Sequence, residues 1–160
     1  MSDLPELRPL TGAEIDATAR MWASGWRDAH LTIVPEELAR LRTLPDFRRR
    51  LADSVGDCLI AGAEGAPEGF VRLIGDELDQ FYVAAALRGT GYAARLMAAA
   101  EDALRARGVR EAHLICTVGN DRAARFYARE GWRNAGVVNV RVETSEGPFP
   151  LDVWRFDKTL

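Results

Sequence analysis

The stretch from residue 77 to residue 118 leaves this chain few folds to choose from. Residues 77–83 read as a strand, and the glycine-bearing turn Leu87-Arg88-Gly89-Thr90-Gly91 follows it. Residues 92–107 then carry Ala93, Leu96, Met97, Ala100 and Leu104 at helical spacing, with Gly108 where a helix commonly ends. Residues 112–118 return to an apolar strand. A strand, a crossover helix and a second strand joined in this way make a right-handed unit whose two strands run parallel.

The remaining elements build around that unit. Residues 6–10 read as a short first strand. Thr11 and Glu14 form a capping box ahead of Ile15, Ala19, Trp22, Trp26 and Ala29, which follow at helical spacing. Pro35 and Pro45 open two further short helices, the second carrying Phe47 and Leu51. Residues 58–63 and 70–74 flank the turn formers of 64–69 and predict a hairpin. Asn120 caps a helix that ends near Glu130, with Gly131 just beyond it, and strands at 136–142 and 151–157 close the chain. The sum is a single α/β domain over residues 1–160: a mixed, mostly antiparallel sheet of seven strands flanked by helices, around one parallel strand–helix–strand unit. A chain of this size buries roughly 70% of its unfolded surface and needs no metal or disulfide to fold.

Composition excludes several functions. Twenty-one basic against 24 acidic residues leave a net charge of −3, so the chain is no globally basic nucleic-acid binder. No apolar run reaches membrane-spanning length and the acidic N-terminus has no signal-like apolar core, so a cytoplasmic protein is expected. Twenty of the 21 basic residues are Arg, so an arginine by itself carries no functional signal. Cys58 and Cys116 sit in apolar strand-like runs with no CxxC or Cys/His cluster, which predicts buried free thiols and no metal site.

Two segments carry chemistry. In the first, a strand ends at 81–83, glycines follow and a helix begins. Unpaired amides and the positive end of the helix dipole make such a place an anion site. Gly89 and Gly91 let backbone approach a phosphate closely, and Arg88 can add charge-assisted hydrogen bonds, so a pyrophosphate is the ligand class suggested. The other reading is that the two glycines merely shape a loop. Neither a Walker A loop nor a GxGxxG dinucleotide fingerprint is present. In the second segment Asn120 and Tyr127 stand seven residues apart, about two helical turns, and so share one face, with small Ala123 between them. A ligand could run along that stripe, or Asn120 could simply cap the helix and Tyr127 edge the core.

Taken together, Arg88-x-x-Gly91-x-Ala93 followed by Asn120-x-x-Ala123-x-x-Phe126-Tyr127-x-x-x-Gly131-Trp132 closely resembles the GCN5-related N-acetyltransferase (GNAT) superfamily, over about residues 77–132. The resemblance implies a GNAT fold and acetyl-CoA as cosubstrate, with no metal. The turn Arg88, Gly89, Thr90, Gly91, Tyr92 and Ala93 would bind the pyrophosphate through backbone amides. The main chain of Phe81, Tyr82 and Val83 would pair with the pantetheine arm. Asn120 would hold the pantetheine amides and Tyr127 would stand beside the thioester sulfur.

The implied reaction transfers an acetyl group to a primary amine of a small molecule or peptide by direct attack. A lysine-like amine has a pKa of about 10.4 and must lose a proton first. Glu77 matches the place of a glutamate base in some members and is preferred to Asp79, although both could be solvated strand-edge charges. The Val83 amide is the candidate donor to the thioester oxygen, and Tyr127, a phenol of pKa near 10, the general acid. Cys116 needs no role. Trp22, Trp26 and His30 could wall an acceptor pocket, although such a stripe is more often core. Trp132 reads as core, and Trp154 as core or dimer interface. A homodimer through the C-terminal strands is open by analogy, whereas no nucleic-acid or membrane partner is expected. A non-catalytic acyl-CoA-binding module of the same fold is the competing function, and a structural domain without cofactor is weaker still.

Overall fold

The structure, a computed structural model, describes residues 3–160. Met1 and Ser2, on which the reading of the N-terminus partly rests, lie outside the described residues. In chain order the elements are β1 (Arg8–Pro9), α1 (Ile15–His30), α2 (Glu36–Leu41), α3 (Leu44–Asp53), β2 (Cys58–Ala63), β3 (Ala66–Ile74), β4 (Glu77–Val83), α4 (Tyr92–Ala106), β5 (Glu111–Thr117), α5 (Asp121–Arg129), β6 (Arg133–Val142) and β7 (Phe149–Thr159). The seven strands form one sheet in the order β1-β2-β3-β4-β5-β7-β6. Every neighbouring pair is antiparallel except β4 and β5, as the strand–helix–strand unit requires. No helix among the described residues is long and apolar enough to cross a membrane.

Each sheet face has its own core. On one face α4 lays Tyr92, Leu96, Met97, Ala100 and Leu104 against Val71, Leu73, Leu114 and Phe156. On the other, α1 and α3 bring Trp22, Trp26, Phe47 and Leu51 onto Ile60 and Phe70. Trp22 is completely buried, its ring 5.0 Å from Phe47 and 5.2 Å from Phe70. The stripe Trp22, Trp26 is therefore core, as its periodicity favours. Trp132 is buried in the first core and Trp154 packs against it half-buried.

The boundaries differ from the sequence expectation where pairing overrides composition. β1 is only two residues, because Pro9 has no N–H to offer a ladder. β3 starts at Ala66, four residues before the expected Phe70: a two-residue turn with Gly65 at φ +78° lets Ala63 pair Ala66. β6 and β7 likewise pair over longer runs than their apolar stretches suggest. In α4 it is Tyr92, not Ala93, that takes the inward position of the first turn.

The start of α1 is held by charge. The Glu14 carboxylate is buried and accepts from the Thr11 amide (3.3 Å), the Thr11 hydroxyl (3.0 Å) and both terminal nitrogens of Arg8, Nη1 to Oε2 at 2.8 Å and Nη2 to Oε1 at 2.5 Å. Arg8 and these donors hold the Glu14 carboxyl down at about 2. A carboxyl depressed in the folded state stabilises the fold above its ordinary pKa, and that stability is lost as pH falls toward the depressed value. Glu14→Gln is therefore expected to cost about 2 kcal/mol at neutral pH and to remove much of the stability loss between about pH 4.5 and 2. Denaturant melts across that range check both.

Candidate active site

β3 and β4 do not pair evenly. Arg72 faces Gln80 while Leu73 faces Leu78, so β4 carries one extra residue, Asp79, at this point. Such a bulge bends its strand and increases the twist. Beyond it β4 leaves β5: the parallel register holds only Glu77 opposite His113, with the His113 amide donating to the Asp76 carbonyl at 3.1 Å. In an antiparallel ladder half of a strand's backbone groups turn away from its partner. From Leu78 to Val83 those groups of β4 meet no strand on the β5 side.

The split opens into a cleft of about 1340 Å³ reaching from the α4 N-terminus to the helices of the second core. Ten of the twelve site residues expected from sequence line it: Glu77, Phe81, Tyr82, Val83, Arg88, Gly89, Gly91, Ala93, Asn120 and Tyr127. Thr90 and Tyr92 do not. The Thr90 hydroxyl turns back to the Leu87 carbonyl, and the Tyr92 ring is buried under α4.

At one end of the cleft Gly89 and Gly91 take φ of +75° and +85°, where an L side chain is strained. Among the described residues nothing accepts a hydrogen bond from the amides of Gly89, Gly91, Ala93 or Ala94. These N–H groups stand together at the start of a 15-residue helix, the geometry of an anion cradle. Arg88 lies beside it but ties its guanidinium to Asp28 of α1 at 2.8 Å. A pyrophosphate fits these residues: the donors are unspent and a Cβ built on either glycine would point into open space.

Along the cleft, the bulge puts Phe81 and Val83 on the face of Leu78, whereas plain alternation would put them with Glu77 and Asp79. Phe81 stacks on Phe126 of α5 at 5.8 Å, which fastens α5 across the split. The Tyr82 ring turns the other way, against Gly25 of α1, where a Cβ would stand 2.7 Å from it. The backbone groups of Tyr82 turn to Phe70 of β3, so those of Phe81 and Val83 on either side face the open edge of β4. Asn120 caps α5 through its side-chain oxygen, which accepts from the Ala123 amide at 3.4 Å, while its amide nitrogen has no partner among the described residues. Tyr127 packs between Phe126 and Phe156, each 5.6 Å away. Burial pushes its phenol far above the ordinary range, so it holds its proton across neutral pH. Cys116 is buried nearby and its thiol is pushed up to about 12, mainly by burial.

The far side of the split is charged. Glu77 accepts from or shares a proton with His113 Nε2 at 2.9 Å, and Asp79 is held by Arg72 at 2.6 Å. Burial raises the Glu77 pKa above the carboxylate range, the Asp79 carboxylate beside it raises it further, and His113 opposes both. A carboxylate made more basic in this way is better suited to accept a proton from a donor. His30 stacks on Trp26 at 5.0 Å and meets the Trp26 carbonyl at 2.9 Å; burial lowers its pKa and keeps it neutral.

Three residues of this wall have no signal in the sequence: His113, Arg72 and Arg50. The strand register that sets His113 opposite Glu77 is a property of the folded sheet, and an arginine in so arginine-rich a chain does not stand out. Among the described residues no three His, Cys, Asp or Glu side chains gather as a metal site would need.

Known proteins share this architecture. The acetyltransferase (GNAT) family profile matches residues 16–132. No curated protein sequence matches the chain. Among solved structures it is similar to a GCN5-related N-acetyltransferase (aminotransferase, class II) from Rhodopseudomonas palustris, at 25% identity and TM-score 0.75, covering 100% of this chain and 98% of that one. It is similar to the PaiA N-acetyltransferase of Thermoplasma acidophilum in complex with coenzyme A, at 17% identity, TM-score 0.72 and coverage of 97% and 98%. It is also similar to yncA of Salmonella typhimurium with its cofactor acetyl-CoA, at 16% identity, TM-score 0.68 and coverage of 98% and 94%.

The opposing influences on Glu77 are separable. Asp79→Asn is expected to move the Glu77 titration down and His113→Gln to move it up, both read by carboxyl-carbon NMR on the free protein. No movement in either variant would mean that burial alone sets the shift.

Proposed function

The chain belongs to the acetyltransferase (GNAT) family, and on that premise we propose that it transfers the acetyl group of acetyl-CoA to a primary amine of a small molecule or peptide by direct attack. One observation carries the reading. The split between β4 and β5 opens into one cleft lined by the glycine turn with its unspent amides, by Tyr127 and by the Glu77 carboxylate. That PaiA binds coenzyme A and yncA binds acetyl-CoA supports the same cosubstrate here. Both cores share one sheet, which supports a single catalytic domain over residues 1–160.

The residues divide the work as follows. The amides of Gly89, Gly91, Ala93 and Ala94 hold the pyrophosphate, while Arg88 steadies the turn from its ion pair with Asp28. The open edge of β4 at Phe81 and Val83, with Tyr82 between them, pairs with the amides of the pantetheine arm, and the free amide nitrogen of Asn120 donates to it from the other wall. Glu77 takes the proton that an ammonium acceptor must lose, and its raised basicity suits that task. The amine lone pair then attacks the thioester carbonyl. The Val83 N–H supports the oxygen where negative charge grows. The C–S bond breaks as the attacking nitrogen gives its second proton to solvent, and the sulfur leaves toward the Tyr127 hydroxyl, which donates its hydrogen bond and proton. Because burial makes that phenol a weak acid, the proton returns to Tyr127 from the bulk, and no phenolate persists. Attack is direct: Cys116 keeps its proton and forms no acyl intermediate.

Calorimetric titration with acetyl-CoA, followed by a thiol-release screen over amines, tests the reading. Tight binding with thiol release is the expected result. Binding without release from any amine would assign an acyl-CoA-binding module without catalysis, and absence of binding would remove the cosubstrate. Tyr127→Phe is expected to lower kcat about 100-fold while leaving the acetyl-CoA Kd within a few-fold. Glu77→Gln should abolish the acid limb of the pH–rate profile. In the parent that limb lies above the ordinary carboxylate range, because a raised pKa leaves Glu77 protonated, and idle as a base, to higher pH.

A further inference from the structure

The acceptor end of the cleft contains a cation that the fold neutralises only in part. Arg50 on α3 is 9% exposed and lines the cleft. Its guanidinium lies over the Trp22 ring, 4.4 Å from the centroid, and 5.8 Å from that of Phe47. Arg72 lies over the same indole at 5.3 Å. The other buried arginines there have closer and less exposed carboxylates: Arg42 meets Asp46 at 3.2 Å, an anion it shares with Arg49 at 2.7 Å, and Arg72 meets Asp79 at 2.6 Å. Among the described residues the only carboxylate in ion-pair contact with Arg50 is Glu143, 3.5 Å from its Nε, with Asp46 acting from farther off, and Glu143 is half in solvent and held more closely by Arg49 at 2.9 Å. Among the described residues nothing accepts a hydrogen bond from the Arg50 side chain.

A guanidinium offers five N–H donors in a rigid fork that matches a carboxylate. Burying one without acceptors is costly, and an aromatic face returns only part of that cost. Burial and the neighbouring Arg42 and Arg72 lower the pKa of Arg50 to about 9, which still leaves it charged at neutral pH. The charge is placed one layer from the proton acceptor: Arg72 shares the indole with Arg50, Asp79 holds Arg72, and Asp79 adjoins Glu77. A bound amine near Glu77 could therefore reach Arg50 with a second group on the same small molecule.

Resting on the acetyltransferase reading above, we infer that Arg50 is a specificity-determining residue that binds a carboxylate of the acceptor, so that the acceptor is an amine of the amino-acid or short-peptide kind with a free carboxylate. Trp22 supports the guanidinium from beneath, and Glu143 is the anion that the incoming carboxylate replaces. Neutral amines of the same size lack the partner and leave the cation unpaired, which is how a polar site rejects an analogue.

The full chain with saturating acetyl-CoA is assayed for thiol release over the common amino acids, each beside its carboxamide, in the parent, Arg50→Gln and Arg50→Lys. At least one amino acid is expected to exceed its amide ten-fold or more in kcat/KM. Arg50→Gln should raise KM for that acid at least ten-fold, leave the amide unchanged and leave the acetyl-CoA Kd unchanged. Arg50→Lys, which retains the charge but not the fork, should fall between. Amides used as well as acids, or a ratio unmoved by Arg50→Gln, would overturn the inference while leaving the acetyltransferase intact. Should no amine be turned over, calorimetry of N-acetyl amino acids against N-acetyl amino-acid amides on the CoA-loaded chain reads the same preference, and equal binding overturns it. Loss of acetyl-CoA binding itself would instead strike the reading on which this one rests.

Discussion

One extra residue in β4 organises the molecule. Asp79 has no place in an even ladder with β3, and the bulge it makes turns β4 away from β5 after a single parallel pair. A continuous sheet would have closed on itself there, with every amide of β4 satisfied. Instead the strand keeps an open edge inside the protein, which is affordable only where something else supplies the hydrogen bonds. The same bulge reverses the alternation, sending Phe81 to the α4 core and leaving Glu77 and Asp79 on the charged wall. The helices then fix the width of the split, α5 through the Phe81–Phe126 stack and α1 through Gly25 against Tyr82.

The two ends of the split differ in how they handle charge. At the glycine turn the positive character comes from backbone amides and a helix end, which carry no desolvation cost of a full charge. At the other end whole ions are buried. Each is worth keeping only where partners are close, since removing a charge from water costs several kcal/mol and a buried aromatic face returns about 2 kcal/mol of that. Arg42 and Arg72 meet that condition with carboxylates; Arg50 meets it in part, through Trp22. Glu77 shows the same physics with the opposite sign, its proton affinity raised by burial and by Asp79 and restrained by His113. Tyr127 is simpler, because burial alone accounts for most of its retention of the proton.

Much of this was legible in the order of residues. Gly89 and Gly91 before a helical stripe mark a turn that only positive φ satisfies, and both adopt it. The seven-residue interval from Asn120 to Tyr127 puts both on one wall of the cleft. β2 and β4 begin where Gly-Asp pairs precede their strand runs, at Gly56-Asp57 and Gly75-Asp76. Other features were not legible. Thr90 and Tyr92 belong to the turn by position, yet one hydroxyl folds back on Leu87 and one ring enters the core. Whether a turn residue faces outward depends on how α4 is rotated about its axis, and that rotation is set by the sheet it packs on.

Local chemistry therefore determined the elements, their order, the parallel pair and the helix start that can receive an anion, because capping, periodicity and glycine conformations act over a few residues. Tertiary structure alone decided that Asp79 is a bulge, that His113 stands across from Glu77 and that Arg50 is buried without a full partner. Those are questions of register and of which charges share a low-dielectric space. Residues 36 positions apart, such as Glu77 and His113, acquire a common environment only when the sheet has formed.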